Sequence, residues 1–103
     1  MSHKFKVHWA TIAEDDLKNI ILYIADDSPI SAMACFKKIK EAAASLTMLP
    51  ERGRIVPELH DQGVSLYREL IVSPWRIIYR ISEKKIYVLS VLDSRQNAED
   101  ILL

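Results

Sequence analysis

The residues most able to do chemistry are arginines that stand close in the sequence to acids and tyrosines. They are Arg52, Arg54, Glu58, Arg68, Glu69, Arg76, Tyr79, Arg80 and Arg95. Arginine holds phosphate or carboxylate groups through paired hydrogen bonds and stays charged at any relevant pH. Attack of a ribose 2′-hydroxyl on an RNA phosphodiester needs a base, a cation beside the phosphorane and an acid for the leaving oxygen. Arginine could supply the charge, Glu58 or Glu69 the base, and a tyrosine such as Tyr79 the acid.

The same residues also have a structural interpretation. Glu69 falls in a predicted strand and could form an ion pair across the sheet with Arg76 or Arg80. For each charged residue taken singly, we favour such a pairing over a catalytic role.

Other kinds of site find little support in the sequence. The histidines His3, His8 and His60 have no metal-ligand spacing among themselves or with Cys35, which is predicted to be a small core residue of a helix. His8 is expected at the surface of a strand. Two glycines cannot build a phosphate-binding loop, and no local signature suggests a Ser–His–Asp arrangement. We therefore expect neither a metal nor a small-molecule cofactor.

Hydrophobic periodicity predicts the elements that position these side chains. Alternation over residues 5–9 predicts a half-buried strand, and Thr11 with Glu14 predicts a capping box at the start of a helix. A second helix is predicted after Ser28 as its cap, with Pro29 as its first residue. The residues predicted to face the core from the two helices are Ala13, Leu17, Ile20, Ile21, Ile24, Met33, Phe36, Ile39, Ala43 and Leu46.

The second half of the chain changes period. Residues 50–65 are predicted to be a long loop. Three strands follow over residues 67–72, 75–82 and 86–92, joined by tight turns, which predicts an antiparallel meander. The sequence thus predicts one α+β domain over residues 1–103: an N-terminal strand, and a two-helix hairpin packed on an antiparallel sheet that ends in the three-strand meander. The first strand joins the sheet either beside the meander or between its strands.

Alternation along the strands gives the sheet two unlike faces. The face predicted to meet the helices holds Leu70, Val72, Trp75, Ile77, Tyr79, Ile81, Ile86, Val88 and Ser90. The opposite face, here called the outer face, holds Tyr67, Glu69, Ile71, Arg76, Ile78, Arg80, Tyr87, Leu89 and Val91. An exposed sheet face is normally polar, so the aliphatic residues on the outer face predict a partner-binding surface. The alternative is that the C-terminal tail, residues 94–103, folds over it.

Composition limits the possible function classes. The chain carries 14 Lys and Arg against 14 Asp and Glu, so a nucleic-acid-binding surface would have to be a local patch. No apolar run approaches the roughly 20 residues of a membrane span, and the N-terminus lacks the apolar stretch of a secretory signal. A single cysteine cannot form an internal disulfide. These features favour a cytoplasmic protein with no membrane partner.

Four segments, in this order, resemble the RelE/ParE superfamily of bacterial toxins, also called plasmid-stabilisation proteins. They are Leu49-Pro50-Glu51-Arg52-Gly53-Arg54, Tyr67-Arg68-Glu69-Leu70, Trp75-Arg76-Ile77-Ile78-Tyr79-Arg80-Ile81 and Ile86-Tyr87-Val88-Leu89-Ser90-Val91-Leu92-Asp93-Ser94-Arg95. The resemblance covers nearly the whole chain. It implies the toxin of a type II toxin–antitoxin pair, neutralised by a cognate antitoxin that would cover the apolar outer face.

Two activities divide this superfamily. ParE-like members inhibit DNA gyrase by binding it, whereas RelE-like members cut mRNA on the ribosome. For a nuclease, the resemblance would place Arg76 and Arg68 at the phosphate, with Glu58 or Glu69 as base. Asp93 stands where many relatives carry His, and zero net charge gives little electrostatic attraction to a ribosome. The sequence favours the ParE-like, non-enzymatic interpretation; the alternatives are an mRNA endonuclease and a non-toxic relic that only binds an antitoxin.

Overall fold

The computed structural model describes residues 4–102 and has a helical hairpin packed against one face of a five-stranded sheet. Its elements are β1 (Lys6–Trp9), α1 (Thr11–Asp27), α2 (Pro29–Ala44), a 3-10 turn (Ser45–Thr47), β2 (Arg54–Ile55), α3 (Pro57–His60), β3 (Tyr67–Val72), β4 (Trp75–Ser82), β5 (Lys85–Asp93) and α4 (Glu99–Leu102). The strand order is β1-β5-β4-β3-β2. The predicted α+β fold is confirmed.

The two long helices meet at Ser28, which ends α1 and caps α2. Its backbone N–H donates to the last turn of α1 at 2.8 Å, and its Oγ accepts a hydrogen bond from the Ser31 N–H at 3.2 Å. Pro29 is the first residue of α2, where its missing N–H costs nothing. The predicted cap of the second helix is confirmed.

The start of α1 differs from the prediction. Ala10 is the N-cap and makes no side-chain hydrogen bond, while Thr11 is already helical. Ala10 is still held by the sheet, because its N–H donates to the Val88 carbonyl oxygen at 2.9 Å. The helix therefore begins directly after β1, and the predicted capping box of Thr11 and Glu14 is wrong.

The meander has the predicted register between β3 and β4, and between β4 and β5 from the turn as far as Tyr79 and Val88. Val72 lies opposite Trp75 and Ser82 lies opposite Lys85, so both turns contain two residues. β1 lies beside the meander, at the edge, and runs parallel to β5. The sheet is thus mixed rather than wholly antiparallel as predicted. Alternation along a strand sets its faces but not its direction, so the sequence pattern could not reveal this parallel pair.

The first core lies between the helices and the sheet. It comprises Ala13, Leu17, Ile39, Ala43, Leu46, Leu70, Ile77, Tyr79, Ile86, Val88 and Val91. Two predicted core residues are wrong, because Met33 is 64% exposed and Phe36 is 38% exposed. Ala32 is buried from α2 instead, and Cys35 packs against the first core, where burial raises the pKa of its thiol.

The predicted loop over residues 50–65 contains two short elements. β2 pairs antiparallel with β3, with Arg54 opposite Glu69, and α3 begins at Pro57. A two-residue strand and a one-turn helix are too short to give a periodic signal, which explains why the sequence pattern missed them. Together they bring Glu58 over the outer face of the sheet.

Candidate functional site

Arg76 is central to the predicted site, and its guanidinium group lies between two glutamates. Its Nε donates to Glu69 Oε1 at 2.6 Å, and its Nη1 and Nη2 donate to the Glu58 carboxylate at 2.8 and 2.9 Å. Nη1 also donates to the Gln96 carbonyl oxygen at 2.9 Å. The Arg76 side chain is only 8% exposed. Four of its five N–H donors are therefore used within the chain rather than offered to a phosphate.

Glu58 is held as a carboxylate by its partners, and Glu69 lies between two arginines. The hydrogen bond from Arg76 lowers the pKa of Glu58 to about 2, and Glu58 also accepts from the Ala98 N–H at 2.9 Å. The fully buried Glu69 side chain pairs with Arg54 Nε at 2.7 Å as well as with Arg76. A carboxylate with so low a pKa is a poor general base near neutral pH. Glu69 thus pairs with Arg76, one of its two predicted partners, but the pair is buried and not at the surface as predicted.

Tyr79 belongs to the first core, and its hydroxyl forms hydrogen bonds with the loop before β2. Its hydroxyl donates to the Pro50 carbonyl oxygen at 2.8 Å and accepts from the Gly53 N–H at 2.9 Å. Burial raises the pKa of Tyr79. Arg68 Nη1 donates to the Gly53 carbonyl oxygen at 2.8 Å. The loop at Gly53 lies so close to β3 and β4 that a Cβ on this residue would be 2.5 Å from the Glu69 carbonyl oxygen and 2.7 Å from the Tyr79 hydroxyl.

The candidate nuclease residues do not converge on one open space. Arg68 and Tyr79 are opposite each other on the helix side of the sheet, whereas Arg76 lies on the outer face. Arg95 is 88% exposed and pairs with Asp93, its near neighbour in the sequence, at 3.0 Å. The candidate residues thus lie at three separate places and do not set a base, a cation and an acid around one phosphate.

A second core covers one end of the outer face. Its buried residues are Val56, Leu59, Ile78, Leu92 and Ala98, with Val64, Tyr67 and Leu102 packed against them. The cover consists of α3 and its flanks together with the C-terminal segment that includes α4. The alternative in which the tail folds over the outer face is confirmed for this end of the sheet.

Part of the predicted partner face is buried beneath the second core, so that part of the prediction is wrong. Ile78, Glu69 and Arg76 were expected to be exposed there, but they are 0%, 1% and 7% exposed. A tail whose first residues are polar gave no sign that its backbone would bind Arg76 and Glu58. The apolar side chains of the outer face are thus partly explained by the chain's own packing.

Val91 departs from the predicted face for a different reason, a β-bulge in β5. The register with β4 shifts by one residue around Leu89. Beyond that point the alternation is inverted, so Val91 packs in the first core and Leu92 in the second. Asp16 of α1 accepts hydrogen bonds from Ser90 Oγ at 2.7 Å and from the Val91 N–H at 3.0 Å. Asp16 thus provides a hydrogen-bond acceptor for the Val91 N–H on the edge of β5 beyond the end of β1.

The other end of the outer face is not covered by the second core. Arg80, Tyr87 and Leu89 are half-buried there, Tyr67 packs against the border of the second core, and Ile71, nearer the covered end, is 51% exposed. These five residues are what remains accessible of the predicted partner face.

The helical hairpin contains an apolar groove that the sequence analysis missed. The groove has a volume of about 300 Å³, and its lining includes Trp9, Leu17, Leu22 and Phe36. Lys40 stands at its rim, with Nζ 4.5 Å from the centroid of the Trp9 ring. Phe36, which the helical pattern placed in the core, is 38% exposed and is one of the residues that line this groove.

The part of the chain that the structure describes contains no metal-ligand cluster and no membrane-spanning helix. Within residues 4–102, no group of three or more His, Cys, Asp or Glu side chains could hold a metal ion, and His3 lies outside the described residues. No helix in that range is long and apolar enough to cross a membrane. His8 is exposed, as predicted.

Comparisons with known proteins give consistent results. The family model described as the ParE toxin of the type II toxin–antitoxin system parDE matches residues 7–98. Toxin RelE2 of Caulobacter vibrioides is 32% identical over 87 residues, which cover 84% of this chain and 91% of that protein.

Two solved structures share the fold. A chain of the chromosomal ParDE toxin–antitoxin system of Pseudomonas aeruginosa matches with a TM-score of 0.71 and 24% identity, over 89% of this chain and 98% of that one. A chain of the Mycobacterium tuberculosis RelBE2 toxin–antitoxin complex matches with a TM-score of 0.57 and 21% identity, over 87% and 91% of the two chains.

Proposed function

Because this chain belongs to the ParE toxin family of type II toxin–antitoxin systems, we propose that it arrests bacterial growth by binding DNA gyrase in the cytoplasm. In this proposal the toxin is not a nuclease, and a cognate antitoxin neutralises it by binding. The resemblance stated above supplies both candidate targets of the superfamily, gyrase and the translating ribosome.

The observation that carries the choice is the Arg76 ion-pair cluster. A phosphate-binding arginine must present hydrogen-bond donors to its substrate, but four hydrogen bonds already tie Arg76 to Glu69, Glu58 and Gln96. A base must accept a proton near neutral pH, but the pKa of Glu58 is about 2. Tyr79 lies on the helix side, so it cannot protonate a leaving group held at Arg76. This favours inhibition by binding over RNA cleavage.

Charge supports the same choice. The chain has no excess of basic over acidic residues, so long-range attraction to ribosomal RNA would be weak. Asp93 and Arg95 neutralise each other at the end of β5, which leaves no extra positive charge where the strand ends.

For the antitoxin, we infer that the groove of the helical hairpin is a docking site. Leu22 is 58% exposed and Phe36 is 38% exposed, so an amphipathic segment would bury apolar area there. Among the charged lining residues, Lys18 and Lys40 outnumber Glu14, which favours acidic side chains on the polar side of that segment. The two structural relatives come from toxin–antitoxin systems, which agrees with an antitoxin partner for this chain.

Induction in a bacterial host tests the target. The proposal predicts growth arrest, relaxed plasmid DNA and an SOS response, while the 5′ ends of mRNAs remain unchanged. Cuts at codon positions of translated mRNAs, with normal plasmid supercoiling, would establish the endonuclease alternative. Growth that continues normally, with the chain present and folded, would favour the non-toxic relic.

Co-expression with the neighbouring antitoxin reading frame tests the docking site. Phe36→Lys is expected to abolish neutralisation while toxicity remains. Tyr23→Lys is the matched control, because Tyr23 is also an exposed helix residue, at 80%, and does not line the groove. If the antitoxin neutralised both variants equally well, it would have to bind another surface of the toxin.

A further inference from the structure

A row of aromatic and basic side chains crosses the open end of the outer face. Strand register sets His8 of β1 opposite Tyr87 of β5, Tyr87 opposite Arg80 of β4, and Arg80 opposite Tyr67 of β3. The alternation of each strand directs these four side chains to the same face. They therefore form one continuous line across four strands.

The members of this row contact one another. The His8 and Tyr87 rings stack with centroids 5.6 Å apart and an angle of 24° between their planes. On the other side, the Arg80 guanidinium carbon lies 5.5 Å from the centroid of the Tyr87 ring. β1 is the edge strand and His8 is exposed, so the stack is open at the His8 end. A further flat ring could extend it there.

Lysines flank the row on the side of the β4–β5 turn. Lys6 and Lys85 lie opposite each other in the next position along the strands, and both are exposed. Lys4 and Lys84 stand beside them around a shallow surface depression that includes one acid, Glu83. Among the residues that the structure describes, no carboxylate lies within 4.0 Å of a basic group of Lys6, Lys85 or Arg80. A chain with no net charge thus concentrates uncompensated positive charge at one end of its sheet.

We propose that this surface, formed by Lys6, His8, Arg80, Lys85 and Tyr87, binds single-stranded nucleic acid. The cations would contact consecutive phosphates, and an unpaired base would stack on the open face of His8. A sheet bearing stacked aromatic rings among basic residues suits unpaired bases, whereas the bases of a duplex are not accessible for stacking. An acidic protein would use the lysines but would gain nothing from the exposed ring. The observations therefore favour nucleic acid as the occupant.

This inference goes beyond the proposed function and does not depend on gyrase. It assigns no cleavage chemistry to the surface, because the ion-pair cluster of Arg76 lies at the other, covered end of the outer face. If both proposals hold, the toxin could contact the DNA as well as the protein of its target complex.

Fluorescence anisotropy with the purified chain tests the inference. The probes are labelled dT15, U15 and a 15-base-pair duplex, at 50 and 200 mM salt, with polyglutamate as a competitor. Contacts from Lys6, Lys85 and Arg80 predict a slope of log affinity against log salt of about −2 for the single strands. Lys6→Gln combined with Lys85→Gln should weaken binding about tenfold and reduce that slope.

Two further variants separate stacking from charge. Tyr87→Leu removes the support for the His8 ring and should weaken binding about fivefold without changing the salt slope. Lys37→Gln combined with Lys38→Gln removes the same charge from the exposed side of α2 and should leave affinity nearly unchanged. Circular dichroism of each variant confirms that the fold is intact.

Several outcomes would overturn the inference. They are undetectable binding at 50 mM salt, tighter binding to the duplex than to either single strand, an equal loss from the α2 control, and complete displacement by polyglutamate at matched charge. Each of these readouts is obtained without gyrase, so their failure would leave the proposed target untouched.

Discussion

Replacement of Arg76 is expected to destabilise the fold rather than to disable a catalyst. Arg76→Ala removes four hydrogen bonds and leaves the Glu69 carboxylate, whose side chain is 0% exposed, with Arg54 as its remaining partner. Removing one member of a buried ion pair typically costs 3–5 kcal/mol. Since Arg54 stays in place and Glu58 can be hydrated, we expect the lower end, about 3 kcal/mol. For a domain of this size that corresponds to a loss of more than about 10 °C in Tm.

Urea denaturation followed by circular dichroism measures this loss, with two comparisons. Arg95→Ala is the control, because Arg95 is 88% exposed, and it should change the free energy of unfolding by less than about 0.5 kcal/mol. Arg76→Met combined with Glu69→Leu removes both buried charges and should recover much of the loss. An Arg76→Ala protein as stable as the wild type would refute the structural role of the cluster and reopen the nuclease alternative.

Three other predictions concern stability. The pKa of Glu58 is lowered to about 2, so its contribution to the free energy of unfolding is fully present above its ordinary pKa and is lost as pH falls toward 2. Glu58→Gln should therefore cost about 2 kcal/mol at pH 6, allowing for partial exposure, and almost nothing at pH 2. Urea denaturation at each pH measures the difference. Gly53→Ala would put a Cβ 2.5 Å from the Glu69 carbonyl oxygen and 2.7 Å from the Tyr79 hydroxyl, so a scanning calorimeter should record a loss of about 2 kcal/mol or more, and an unchanged Tm would contradict that close approach. Ser28→Ala removes the cap of α2 and should cost about 1 kcal/mol in thermal unfolding, with Ser28→Asp retaining most of the wild-type stability.

The elements whose signals are local could be predicted from the sequence. Ser28 followed by Pro29 set the start of α2, and the two-residue turns set the register of the meander. The alternation of β4 placed Arg76 and Arg80 on the outer face, where the structure has them. These features depend on neighbouring residues or on pairs joined by a short turn, so a pattern along the chain can reveal them.

The features that were missed depend on contacts between distant parts of the chain. The bulge near Leu89 inverts the faces of the last residues of β5, and nothing in the strand's composition marks it. The covering of Ile78 comes from α3 and Ala98, which the pattern treated as loop and tail. The basic row exists because β1 lies beside β5 and brings His8 next to Tyr87, a pairing that the sequence pattern did not specify. Contacts between distant segments thus determine the bulge, the cover over Ile78 and the basic row. Such contacts also bury the candidate site, which was predicted on an exposed face, as an internal ion-pair cluster.

The most direct test of the account is a gyrase supercoiling assay with the purified chain added. Inhibition by binding predicts that a stoichiometric amount of the folded toxin blocks the conversion of relaxed to supercoiled plasmid, and that prior incubation with the antitoxin restores it. Complete supercoiling in the presence of an excess of folded toxin would contradict the account.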